Sequence, residues 1–244
     1  LQDHLQIRSV YEVNVPTLND EINNLVRRTW IGMQFVFARQ GPMAMGASQV
    51  CIFCKTRPEL DTPDIQFHFQ PLSAEKPGLE MHPFSGITMS VCQLRPESRG
   101  HISIVSPDPM VYPEIHPNYL SAQLDQETAV AGLRVTRDLV NTKALSPYIV
   151  EEKLPGAHVQ SDEDLLDAAR NIAQTIYHPT STCKMAPATD RMAVVDDRLR
   201  VHGLSGLRIA DASIMPTIVS GNTNAPAIMI GEKASDMVLE DASA

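Results

Sequence analysis

The chain has 244 residues, 43% hydrophobic and 20% charged, a balance that allows a sizeable buried core and excludes disorder as the expected state. Its 20 basic and 29 acidic residues give a formal charge of -9, which argues against a nucleic-acid partner, because neutralising phosphates requires clustered Lys and Arg. No apolar run is long enough to cross a bilayer, and the start Leu1-Gln2-Asp3-His4-Leu5 lacks the basic and apolar regions of a signal peptide.

In chain order, the β-branched residues of 7–15 predict a strand. Thr17 or Asn19 can cap a helix that passes through Trp30 to about residue 38, where Gly41-Pro42 ends it. Residues 48–56, 64–72, 84–94 and 100–106 each read as strands. In the second, Ile65, Phe67 and Phe69 alternate with Gln66, His68 and Gln70, a period of two that predicts one buried face. Turns at Pro58, Pro63, Pro77-Gly78, Pro83 and residues 96–100 separate these runs. Consecutive strands with no helix between them predict an antiparallel sheet.

Residues 121–144 read as a helix with Val130, Leu133, Arg137 and Val140 on one face. Another starts at Ser161, with Asp164 placed for a capping box, and its apolar stripe from Leu165 through Ala169 and Ile172 to Ile176 leads directly to His178. Residues 206–211 predict a short strand, 212–223 a loop and 224–240 a final helix, with the side chains of 222–224 as caps and Pro226 in the first turn.

Several chemical signals weigh little alone. Cys51 and Cys54 form a CxxC, but on a strand they point to opposite faces. There is no second CxxC and no His pair at ligand spacing, so neither a metal site nor a redox pair is expected. Free thiols suit a reducing compartment, so the cytoplasm is the expected location, with peripheral attachment at an inner membrane as a variant of it. Ser181 and Lys184 make an SxxK without the companion motifs of acyl-transfer enzymes. His68, His82, His101, His116, His158 and His202 read as surface or strand-face residues.

Three segments carry a stronger signal together. The first comprises Ser98-Arg99-Gly100, Ser106-Pro107-Asp108-Pro109, Pro113, Ile115 and Asn118-Tyr119-Leu120. The second is His178-Pro179-Thr180 with Thr182-Cys183-Lys184-Met185. The third runs through Val194-Val195-Asp196, Arg200-Val201-His202-Gly203, Gly206-Leu207-Arg208, Asp211-Ala212-Ser213, Ser220-Gly221-Asn222-Thr223-Asn224-Ala225 and Ile230-Gly231-Glu232-Lys233. In order and spacing they resemble the C-terminal portion of the glucose–methanol–choline (GMC) oxidoreductases, in their choline-dehydrogenase-like form. Leu1-Gln2-Asp3-His4 also matches a segment beside the flavin in that family.

The resemblance implies an α+β fold: an antiparallel-sheet substrate domain flanked by helices over 1–185, and over 186–244 the C-terminal strand, loop and helix of a Rossmann-like FAD domain. It implies FAD as cofactor and oxidation of a primary alcohol by hydride transfer to flavin N5. His178 becomes the base, because imidazole titrates near neutrality, and Asn222 the partner that orients the alkoxide. Asp211 and Ala212 are implied near the ribityl and phosphate part of FAD, and Thr223 and Asn224 near the flavin ring. The dehydrogenase flavour favours a quinone or other electron acceptor over oxygen. No GxGxxG is present to cradle the pyrophosphate. The expectation is therefore a fragment inactive alone, associating with a missing N-terminal FAD-binding half or with itself. The alternative is a flavin-free binding or interaction module without catalysis.

Overall fold

The computed structural model describes residues 1–75 and 80–243; the turn expected at Pro77-Gly78 lies outside the described residues. Along the chain come β1 (Leu5–Val13), α1 (Leu18–Asn23), α2 (Leu25–Ala38), β2 (Val50–Cys54), β3 (Ile65–Gln70), β4 (Gly86–Gln93), β5 (His101–Ser103), β6 (Glu114–His116), α3 (Gln123–Val140), β7 (Ile149–Leu154), α4 (Asp162–Ile172), β8 (Ala173–Thr175) and α5 (Asn224–Ala242). Mixed helices and antiparallel strands bear out the α+β class. The chain divides into two units by contact, one formed by Leu1–Leu5, Leu94–Gln126 and Thr175–Ala244, the other by Gln6–Gln93 and Glu127–Gln174.

The second unit holds the main sheet, in the order β2-β3-β4-β1-β7, with β8 also pairing with β1. The pairs β1–β4, β1–β7, β2–β3 and β3–β4 are antiparallel. One face is the apolar core expected from the alternation: Ile65 and Phe67 of β3 lie with Ile7, Tyr11, Met89 and Val91, each at most 3% exposed. Such a side chain contributes about 1.5–3 kcal/mol on burial. Gly132 of α3 approaches this face so closely that a Cβ there would stand 3.0 Å from the Val91 side chain. The opposite face differs from the one-buried-face pattern, because Gln6, Arg8, Gln66, His68, Thr88 and Ser90 on it are buried too.

Local chemistry explains where other elements depart from the pattern. The helix expected over 17–38 is two helices. Thr17 and Asp20 close a capping box on α1, but the Asn24 side chain accepts the Val26 and Arg27 N–H groups and starts a second helix in mid-run. Ser161 caps α4 as expected, accepting from Asp164 N–H at 3.1 Å. That helix stops at Ile172, because Ala173 turns extended and joins β8, so a strand rather than a helix delivers the chain toward His178. The run 100–106 leaves the main sheet: β5 pairs with β6 in a separate two-stranded sheet. Arg137 shares the inward face of α3 because Glu152 meets it at 2.7 Å, with both side chains largely buried.

In the first unit, Val195, Leu199, Ile214, Met215, Ile230 and Ala234 form a compact apolar cluster, with Ile230 and Ala234 four apart on one face of α5. Residues 206–211, expected as a strand, carry only the isolated bridge between Arg200 and Arg208. A strand exists through its ladder, and these residues have almost none. Three arginines close the far end of α5: Arg198, Arg200 and Arg208 all contact Asp241, and Arg198 also reaches Glu240 at 2.9 Å. Hydrogen bonds from Arg200 and Arg208, with the nearby charges, hold the Asp241 carboxyl well below the usual carboxylate range.

A carboxyl lowered by folding stabilises the fold above its ordinary value near 3.8 and loses that contribution as pH falls through the lowered value. Asp241→Asn should therefore lower the thermal midpoint most near neutral pH. Its gap to the parent protein should begin to narrow only below about pH 4, keep narrowing as the pH falls further, and shrink in about 1 M salt, because these groups are solvent-facing. A gap unchanged by pH in a melting series would show that the arginine cluster adds no stability through this carboxylate.

Candidate active site

His178 stands just after β8, next to Tyr177, which takes a positive φ of 64°. A non-glycine residue rarely holds that conformation unless neighbours impose it. The first four residues of the chain impose it. Asp3 is buried and accepts three hydrogen bonds: from the His178 backbone N–H at 2.9 Å, from the Thr175 hydroxyl at 2.5 Å and from the Tyr119 hydroxyl. Gln2 exchanges both backbone hydrogen bonds with Thr180, at 3.1 and 2.8 Å. Burial and the Asp3 carboxylate push the Tyr119 hydroxyl well above the usual phenol range, so it stays a donor.

His4 is fully buried, and its ring meets that of His178 edge to face. The two Nδ1 atoms lie 2.9 Å apart, and His4 Nε2 lies 3.0 Å from the carbonyl oxygen of Leu94. A carbonyl oxygen only accepts, so the proton of neutral His4 sits on Nε2 and its lone pair on Nδ1. His178 must then donate from Nδ1, and neutral His178 carries its lone pair on Nε2. The backbone carbonyl of Leu94 thus sets the tautomer of a histidine two steps away.

The Ser98-Arg99-Gly100 and Asn118-Tyr119 residues explain themselves as the frame of this arrangement. The Asp125 carboxylate accepts the backbone N–H groups of Glu97 and Ser98, each at 2.8 Å. In return the Ser98 hydroxyl accepts those of Ser121 and Ala122, at the entry to α3. Asn118 donates to the Arg99 carbonyl at 3.1 Å, which sets Tyr119 on its way to Asp3. Gly100 exchanges backbone hydrogen bonds with Leu1, and a Cβ on it would lie 2.1 Å from the His116 carbonyl oxygen, so only glycine fits.

The other candidates lie on the loop 212–223 and the start of α5. Gln2 ties this loop to the His178 segment, since its side-chain oxygen accepts the Ile218 N–H at 3.1 Å. Arg95 donates to the Ser220 hydroxyl at 3.2 Å, and Cys183 and Met185 donate backbone N–H groups to Ser213 and Ile214. Asn222 itself is exposed, outside the buried shell around His178. Asp211 caps the turn Ala212–Ile214 by accepting the Ser213 N–H at 2.8 Å, and Ala212 packs against the apolar cluster. Thr223 takes the N-cap position of α5 without a side-chain cap bond, contrary to the capping expected of it, and Asn224 opens the helix, exposed.

A cleft of about 730 Å³ opens beside this frame, lined by Gln2, Arg99, Ser181, Lys184, Arg191 and Thr217 among others. Two of its cations are engaged: Arg99 donates to the Pro96 and Ser98 carbonyls, and Lys184 pairs with Asp190 at 2.6 Å. That ion pair also occupies the lysine of the SxxK. Among the described residues, no group of three or more His, Cys, Asp or Glu could hold a metal, and the cysteines are free thiols. No helix among them is long and apolar enough to cross a membrane. Reading residue types alone misses Asp3 and His4 as functional neighbours; their presence in the Leu1-Gln2-Asp3-His4 match is the one signal that pointed there.

Comparison with known proteins places the fold and frame in a family. The GMC oxidoreductase family model, in its C-terminal form, matches residues 96–231. The alcohol dehydrogenase [acceptor] of Pseudomonas putida is 38% identical over 240 residues, covering 98% of this chain and 43% of that protein. The oxygen-dependent choline dehydrogenase of Cronobacter sakazakii is 41% identical, covering 98% and 42%. A crystal structure of formate oxidase superposes with a TM-score of 0.87 at 23% identity, over 98% of this chain and 46% of that one. Pyridoxine 4-oxidase from Mesorbium loti gives 0.76 at 24% identity, over 96% and 42%. The chain belongs to the GMC oxidoreductase family and corresponds to its C-terminal portion, spanning less than half the length of the relatives it matches.

Asp3→Ala removes one acceptor from three donors in a buried setting. Each orphaned donor should cost about 1–3 kcal/mol, against about 1 kcal/mol for Tyr119→Phe, which removes donor and leaves acceptor satisfied by the other two. Denaturant unfolding of the two variants checks this, and equal losses would mean that Asp3 holds His178 no more firmly than it holds Tyr119.

Proposed function

We propose that the chain is the C-terminal portion of a flavin-dependent alcohol oxidoreductase, in which His178 takes the substrate hydroxyl proton and Asn222 orients the oxygen. The single observation that carries this reading is the His178–His4–Leu94 relay, which directs the His178 lone pair to Nε2. A base needs its acceptor nitrogen fixed before the substrate arrives. Once His178 is protonated, its Nδ1–H bond to His4 becomes charge-assisted and strengthens, which favours the proton-holding state. The Asn222 amide can donate to the oxygen as it gains negative charge.

The residues present fit a flavin ring better than a whole dinucleotide. The first-turn amide groups of α5 at Asn224 and Ala225 are not capped by the Thr223 side chain, and a helix start of that kind favours an anionic edge. We assign Thr223 and Asn224 to the flavin ring and Asp211 and Ala212 to its ribityl and phosphate side. Residues 1–185 then act as the substrate-binding part and 186–244 as this chain's share of the flavin domain. The nucleotide cradle must come from the rest of the protein, since no GxGxxG occurs here. When bound, FAD supplies the hydride acceptor. The atoms then balance: the alcohol gives a proton to His178 and a hydride to the cofactor, and leaves as an aldehyde. Electrons pass onward to a quinone or another acceptor, in keeping with the name of the Pseudomonas relative; the Cronobacter relative is named oxygen-dependent.

In the enzyme completed with its N-terminal portion, His178→Ala should lower kcat by about 100-fold to 10,000-fold while FAD still binds. His4→Leu should lower kcat less and shift the acidic limb of its pH profile, because it frees the His178 ring to take the other tautomer. Turnover within a few-fold of the parent in His178→Ala would remove His178 as the base. Absence of FAD binding even with the N-terminal portion supplied would favour the non-catalytic binding module instead.

A further inference from the structure

The buried polar face of the main sheet has an order of its own. Across four strands Arg8 of β1 stands opposite Ser90 of β4, Ser90 opposite His68 of β3, and His68 opposite Cys51 of β2. The neighbouring row sets Gln6 opposite Cys92 and Cys92 opposite Gln66. The His68 ring is held from both sides, 3.1 Å from Gln6 Nε2 and 3.0 Å from Gln66 Nε2. Arg8 has nothing comparable. It is 6% exposed, and its Nε and the Ser90 hydroxyl are both sealed without a hydrogen-bond partner.

A buried cation is tolerated when an anion neutralises it. Among the described residues, no ion pair includes Arg8; Glu75, whose charge reaches His82 as that of Arg8 does, is exposed. Burial lowers the pKa of Arg8, with no carboxylate to offset it. The sheet therefore buries a planar, five-donor group and gives its Nε no acceptor. That fork matches a carboxylate in two parallel hydrogen bonds, and Ser90, opposite it in the register, offers a neutral donor beside it.

We propose that Arg8, with Ser90, forms a binding site for a small aliphatic carboxylate on the polar face of the sheet. The site stands on the sheet geometry alone. The same guanidinium repels a quaternary ammonium, so choline is disfavoured.

The test uses 3-hydroxypropanoate, propanoate, 1,3-propanediol and choline as probes of the thermal midpoint and of binding by calorimetry. Both carboxylates should raise the midpoint of the chain saturably, and the diol and choline should not. Unliganded Arg8→Met should melt no lower than the parent, because it removes an unpaired buried charge, and should weaken propanoate binding about tenfold or more; Arg8→Lys should recover part of it. Equal carboxylate binding by parent and Arg8→Met, or none by the parent, overturns the site. So does a sharp fall in the Arg8→Met midpoint, which would reveal an internal counter-charge.

Discussion

The hydrogen bond between the Nδ1 atoms of His4 and His178 is the contact on which the rest of the site depends. It joins residues 174 positions apart, and both rings are buried, so neither can trade it for water without cost. Because His4 is itself anchored on the Leu94 carbonyl, the bond has a direction as well as a length. Asp3, one residue away, supplies the matching constraint on the His178 backbone, and Gln2 extends the strap to Thr180 and Ile218. A stretch of three residues thus holds both loops that carry the proposed catalytic side chains. Tertiary hydrogen bonds, rather than local propensity, give those loops their conformation.

The two faces of the main sheet divide labour along the same strands. One face is filled by aliphatic and aromatic side chains and stabilises the fold by removing apolar surface from water. The other buries amides, hydroxyls, an imidazole and a guanidinium, which stabilise only in so far as their partners are present. His68 has such partners, whereas the Nε of Arg8 is sealed without one. A protein that keeps an unsatisfied cation in this setting gives up stability, and functional sites are where that sacrifice is commonly found.

Much of this was legible in the residues, but unevenly. The alternation of Ile65, Phe67 and Phe69 gave the strand, its direction into the core and the antiparallel sheet, because a period of two is a local property. It could not reveal that Gln66 and His68 are buried as well, since what covers a face is not written along the strand. Asn24 broke a helix that apolar spacing made continuous, by competing for the backbone N–H groups of its neighbours. The strand β7 went unread because its Glu151, Glu152 and Lys153 look like a solvated run, yet Glu152 is buried against Arg137. Residues 206–211 read as a strand from their apolar content, and their pairing amounts to one bridge. At the site, His178 and Asn222 were singled out through family motifs, whereas the roles of Asp3 and His4 come from contacts spanning most of the chain. No spacing rule could supply those.

The account turns on which nitrogen of His178 bears the proton, and nitrogen-15 NMR of the histidine rings reads this directly. With the chain labelled and His178 assigned through the loss of its signals in His178→Gln, the neutral ring should show a protonated, hydrogen-bonded Nδ1 and an unprotonated Nε2. His4 should show the opposite tautomer. A His178 ring protonated on Nε2 would contradict the relay, and with it the assignment of His178 as a base held ready for a substrate hydroxyl.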